Sequence, residues 1–254
     1  MVMHRYLKQD NSIKRKVVSR FSLLLLTAGS LLLFWSFYPI ISFEIFARLF
    51  IQKQIVSPVP TSLTASSIKT ANSVLGSWIN LSSNLRDFTQ VSRWFPDKPQ
   101  QNLDTNKIKI NKYLLSIPKL NINQAIVTVG GDDLTKSLVH YLPTSLPGEY
   151  GNVVIFGHST LSQLYNVKDY KTIFTFLPSL DPQNHDLIEL KVGDLNYQYE
   201  VIEMFVVDPE EISVLDQKYD ASYLTLITCV PPGTYFKRLV VRAKLIKLPI
   251  SLVE

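Results

Sequence analysis

The sequence predicts a mainly β domain, either a barrel or a sandwich, carried behind one N-terminal membrane-spanning helix and a polar stem. Three observations predict it. Residues 21–43 carry no charged side chain and include Leu23-Leu24-Leu25-Leu26 and Leu31-Leu32-Leu33-Phe34-Trp35. From residue 108 onward, short runs of β-branched, aliphatic and aromatic residues alternate with Gly, Pro, Asn and Asp, the signature of many short strands joined by turns. Between the two, residues 44–107 become rich in Ser, Thr, Asn, Gln and Pro.

The apolar run spans about 34 Å as a helix, enough for a hydrocarbon core of about 30 Å. It is longer than the apolar region of a cleaved signal peptide, and no A-x-A pattern follows it. Trp35 and Tyr38 stand toward one end, where interfacial rings gather, and Pro39 falls near the expected helix exit. The formal net charge of +5 belongs to one end of the chain. Residues 1–20 hold Arg5, Lys8, Lys14, Arg15, Lys16 and Arg20 against Asp10, so the remainder is near neutral. A basic flank before an apolar helix places the N-terminus inside and the bulk of the chain outside. A near-neutral remainder offers no basic face for nucleic acid. The organisation expected is a basic cytoplasmic segment (1–20), a transmembrane anchor (21–43), a juxtamembrane stem (44–107) and a catalytic domain (108–248). The expected localisation is a single-pass protein of the cell membrane.

Within the domain, strands are expected at residues 125–129, 152–156, 186–190, 197–207, 224–229 and 239–246. Helical signals are weak, with 133–139 and 161–170 the best in the domain and 72–88 in the stem. The adjacent pair Asp132 and Asp133 supplies too few oxygen ligands for calcium and reads as a solvated turn.

Cys229 is the only cysteine, which excludes an intrachain disulfide and a Cys-rich zinc site. A lone thiol is either a small buried hydrophobe or a candidate nucleophile. Cys229 closes one strand run, His158 follows another, and Arg238 opens a third. Val154, Phe156 and His158 share one face by strand alternation, as do Thr225, Ile227 and Cys229. The connection from Cys229 to Arg238 contains Pro231-Pro232-Gly233 between two apolar runs, a hairpin signal that sets the two side by side. A thiol nucleophile needs a proton shuttle, which histidine supplies, and an oxyanion needs a donor, which arginine supplies. Cys229, His158 and Arg238 therefore form a sufficient set for acyl transfer through a thioester.

Four stretches resemble the sortase family, in the family's order. They are Ser116-Ile117-Pro118-Lys119-Leu120 at the entry to the barrel and residues 146–158, ending in Gly157-His158. The others are Thr225-Leu226-Ile227-Thr228-Cys229 and residues 237–245, beginning Lys237-Arg238-Leu239. They span residues 116–245. The resemblance implies an eight-stranded β-barrel with short helices. It implies a cysteine transpeptidase in which Cys229 attacks a peptide carbonyl of an LPxTG-like sorting signal, His158 protonates the leaving amine and Arg238 stabilises the oxyanion. Thr228 beside the nucleophile is a candidate substrate contact. The implied partners are surface proteins with a C-terminal sorting signal and an amine acceptor, such as a peptidoglycan precursor or a pilin lysine. No metal or organic cofactor is implied. Leu142-Pro143-Thr144-Ser145-Leu146 looks like a sorting signal but lacks its Thr-Gly pair and reads as structural. Trp94-Phe95-Pro96-Asp97 does not match the Asp-Pro-aromatic lid of pilin-polymerising members, so no lid is expected. A thiol hydrolase with the same three residues and a catalytically silent surface binding domain are the competing readings.

Overall fold

The computed structural model describes residues 12–47, 89–95 and 110–247. Most of the stem 44–107, with its expected helix at 72–88, lies outside the described residues, as do most of the segment 1–20 and residue 248. The chain divides into two compact units between Phe46 and Ala47.

The first unit is one helix, α1 (Ser12–Phe46), which continues seven residues beyond Pro39. Its stretch Val17–Tyr38 is long and apolar enough to cross a membrane, and none of that stretch is buried within the protein. Val17, Leu24, Leu32 and Trp35 are all exposed. The Thr27 hydroxyl donates to the Leu24 carbonyl at 2.9 Å, so this polar side chain satisfies itself along the helix. The helix fits a single-pass membrane anchor.

The second unit holds eight strands: β1 (Lys112–Ile117), β2 (Ile122–Val129), β3 (Leu138–His140), β4 (Gly151–Phe156), β5 (Leu187–Val192), β6 (Leu195–Val207), β7 (Ser222–Val230) and β8 (Lys237–Lys247). They close into a barrel in the order β1-β2-β3-β4-β7-β8-β6-β5, with β5 hydrogen-bonded back to β1. The β2–β3 and β4–β7 pairs are parallel, and the others are antiparallel. The fold is the expected mainly β, eight-stranded barrel with short helices. Closure leaves no long free edge, which a chain with this many apolar strands needs to avoid self-pairing.

The sequence explains the centre of the barrel. Parallel strands buried on both faces read as nearly unbroken apolar runs, and every residue of β4 is buried. Side chains alternate along β4, β7 and β8. Val154, Phe156, Ile227, Cys229 and Val240 join one cluster with Val91, Trp94, Phe95, Leu134 and Val214. The alternate residues Val153, Ile155, Leu224, Leu226 and Val241 are buried on the other face.

Two helical expectations fail. Residues 133–139 form a β-bridge, a turn and the start of β3, because Asp133 accepts from the Thr135 N–H and hydroxyl and so favours a turn over a helix. Within 161–170 a single 3₁₀ turn forms at Ser162–Leu164. There Asn166 and Asp169 accept from backbone N–H groups two residues on, as turn residues do.

Candidate active site

His158 and Cys229 leave the parallel pair β4–β7 at the same end. Phe156 is registered against Ile227, and each candidate stands two residues further on. The Gly157 N–H donates to the Ile227 carbonyl at 3.1 Å. One step beyond, the Ser159 hydroxyl donates to the Cys229 carbonyl at 2.5 Å. From the other side the Phe174 N–H donates to the His158 carbonyl at 2.9 Å. Across β7–β8, Cys229 is the direct register partner of Arg238. The fold therefore gathers His158, Cys229 and Arg238 at one barrel end, on three neighbouring strands.

Gly157 is required by close packing. A Cβ there would lie 2.4 Å from Phe174 Cδ2 and 2.7 Å from Leu138 Cδ2, both on buried side chains. Gly157→Ala is expected to destabilise the barrel by about 1–3 kcal/mol through overpacking and to displace His158. A lowered thermal midpoint together with reduced turnover checks this.

All three candidates are nearly covered: Cys229 is 1% exposed, Arg238 2% and His158 8%. The cover is residues 89–95, contributed by the stem. The Trp94 ring lies 5.7 Å from the His158 ring and packs edge-on against Phe156. Arg238 lies over the Trp94 ring at 5.4 Å and donates to the Trp94 carbonyl at 3.0 Å. Its other terminal nitrogen donates to the carbonyls of Tyr235 and Lys237. This strap is held from below by the loop after β2. Asp132 accepts from the Ser92 N–H at 2.6 Å and from the Ser92 hydroxyl at 3.0 Å, and its own carbonyl accepts from the Val91 N–H. Gln90 bridges to Asp133. Two sequence expectations change here. Asp132 is a latch for a distant segment as well as a turn residue. The site is covered, despite the missing Asp-Pro-aromatic motif, by residues with no such pattern.

Among the described residues, three buried side-chain polar atoms have no hydrogen-bond partner: His158 Nε2, Thr228 Oγ1 and Arg238 Nε. Buried polar atoms are ordinarily paired. All three belong to residues singled out from the sequence, and Thr228 is fully buried. Burial pushes the Cys229 thiol up to about 11, a shift the nearby Arg238 partly opposes. Burial also lowers His158 to about 4, with Asp133 and Asp169 opposing and Lys171 assisting. In this covered form the pair is thus a neutral thiol and a neutral imidazole, because burial disfavours the charged form of each. No cluster of three or more His, Cys, Asp or Glu able to hold a metal occurs among the described residues. Sequence reasoning missed Ser159, Trp94 and Asp132. Only the place of Ser159 directly after the histidine could have drawn attention.

The chain matches one family model and is similar to several known proteins. Sortase D of Bacillus subtilis (strain 168) is 29% identical over 119 residues, covering 46% of this chain and 54% of that protein. The chain thus spans about half the length of this curated relative. Two solved structures are also similar. The Clostridium perfringens Sortase D5 transpeptidase is 29% identical, covering 56% of this chain and 84% of that chain, with a TM-score of 0.47. Sortase C-1 from Actinomyces oris covers 54% and 73% respectively, with 29% identity and a TM-score of 0.47. The sortase domain family model matches residues 115–246, from the first barrel strand to the last and through all three candidate residues, and the chain belongs to the sortase family.

Proposed function

We propose that this protein is a membrane-anchored cysteine transpeptidase that cleaves an LPxTG-like sorting signal and passes the acyl group to an amine. The observation that carries the reading is the direct pairing of Cys229 with Arg238, beside a strand end that presents His158. The Cys229 thiol gives its proton to His158, and the resulting thiolate attacks the scissile carbonyl carbon. Arg238 donates to the oxygen that becomes negative, and a buried guanidinium keeps its charge there. The tetrahedral adduct collapses to a thioester as His158 gives a proton to the departing amine. An incoming amine then attacks the thioester, loses a proton to His158 and releases the Cys229 sulfur. Thr228 Oγ1, buried without a partner, is a candidate contact for the bound peptide. No metal or organic cofactor enters these steps.

The proposed substrates are surface proteins with a C-terminal sorting signal. The proposed acceptor is an amine of a peptidoglycan precursor or a pilin lysine. The proposed layout keeps residues 1–20 inside, 21–43 in the membrane, and the stem 44–107 and catalytic domain 108–248 outside. Protease added to intact cells is expected to digest the barrel; full protection would reverse that orientation.

The enzymatic test is incubation of the full chain, in detergent micelles, with a labelled sorting peptide and an amine. Ligated product is expected. Cleavage without ligation favours a thiol hydrolase, and no thioester at Cys229 favours a silent binding domain. Cys229→Ala is expected to abolish the acyl-enzyme while shifting the thermal midpoint little, since alanine keeps most of the packing of a small buried hydrophobe.

A further inference from the structure

We infer that Ser159 is a positioning residue that sets His158 against Cys229, an inference that rests on the catalytic roles proposed above. In a parallel ladder the bond from the Gly157 N–H to the Ile227 carbonyl would be followed by one from the Ser159 N–H to the Cys229 carbonyl. Strand β4 has already ended at Phe156, and the Ser159 side chain supplies the next bond in place of the backbone. The ladder is thereby extended past the strand by a hydroxyl. His158 sits in the one-residue interval between two fixed points, and both points are on the strand that carries the nucleophile. Next along the loop, the Thr160 N–H is held by Thr175 Oγ1, itself bonded to the Thr172 carbonyl. The tie acts on the backbone of Cys229 and leaves its sulfur free to react.

Small displacements of reacting groups cost large factors in rate. With the full chain and a labelled sorting peptide, Ser159→Ala is expected to lower kcat about tenfold with KM changed less than about twofold. Ser159→Thr keeps the hydroxyl and is expected to recover most of the loss. Equal kcat in Ser159→Ala and the parent overturns the inference, as does a threonine variant no better than alanine. If the folded parent protein forms no thioester at all, the catalytic reading itself falls, which is a different result from a parent that reacts and an alanine variant that matches it.

Discussion

Arg238→Ala is expected to lower turnover of a sorting peptide by about 10²–10³-fold, the loss typical when one oxyanion donor is removed. The guanidinium does two things. It faces the proposed nucleophile across the β7–β8 register, and it holds the carbonyls of Trp94, Tyr235 and Lys237. Removing it takes away both these bonds and the charge that the proposed reaction needs. Stability is expected to fall by about 2–4 kcal/mol, since three acceptors lose a charged donor and opening of the strap lets water repair only part of that. Arg238→Lys keeps a charge and is expected to recover part of the stability but little turnover, because one ammonium cannot match the planar fork. Paired measurements of thioester formation and thermal midpoint check this. A variant with parental turnover would remove Arg238 from the chemistry.

The sequence carried the strands that meet at this end of the barrel, and physical reasons separate them from what it did not carry. Strands β4 and β7 are apolar runs bounded by breakers, β8 mixes apolar residues with basic ones, and Pro231-Pro232-Gly233 between the last two signals the pairing of Cys229 with Arg238. Strand β3 has three residues and follows a polar turn, so no periodicity could reveal it. Its neighbourhood read as helix because the apolar spacing around Leu134 and Leu138 is compatible with one. The strap was the least legible element. Residues 89–95 have no regular pattern, and the contacts that order them come from Asp132, some 40 residues away, and from Arg238, 144 residues away. Local propensity contains no trace of a partner at that distance. The three buried polar atoms without partners lie on residues chosen from the sequence for their type and position.

Acid is expected to destabilise the barrel below about pH 6.5, because two buried histidines are held neutral. His140 is fully buried, and burial lowers it to about 4 from 6.5, against an opposing hydrogen bond to the Thr144 carbonyl. Its protonation state follows from hydrogen-bond capacity. The Thr144 hydroxyl spends its hydrogen on the Tyr141 carbonyl at 2.5 Å, so toward His140 Nε2 at 3.1 Å it can only accept. Nε2 therefore carries the proton, and Nδ1 accepts from the Tyr113 hydroxyl at 2.8 Å. A second proton on the ring would force the Tyr113 hydroxyl to turn away from its acceptor in a buried site. His158, also lowered to about 4 by burial, behaves alike while the strap is closed. For a group whose folded value lies below its unfolded value, the stability is present above the unfolded value and lost as pH falls through the folded one. The window is therefore about 6.5 down to about 4. A shift of that size corresponds to roughly 3 kcal/mol for fully buried His140, and less for His158, which is 8% exposed. Asp133, held near 2 chiefly by its bond from Thr135, titrates below this window. The thermal midpoint of the full chain is expected to drop markedly between pH 7 and pH 4. His140→Gln, which cannot take up a proton there, is expected to start lower at pH 7 and to show a drop about half as large. A midpoint independent of pH across this range would show that neither imidazole is held neutral by the fold, and an undiminished drop in His140→Gln would assign the whole effect to His158.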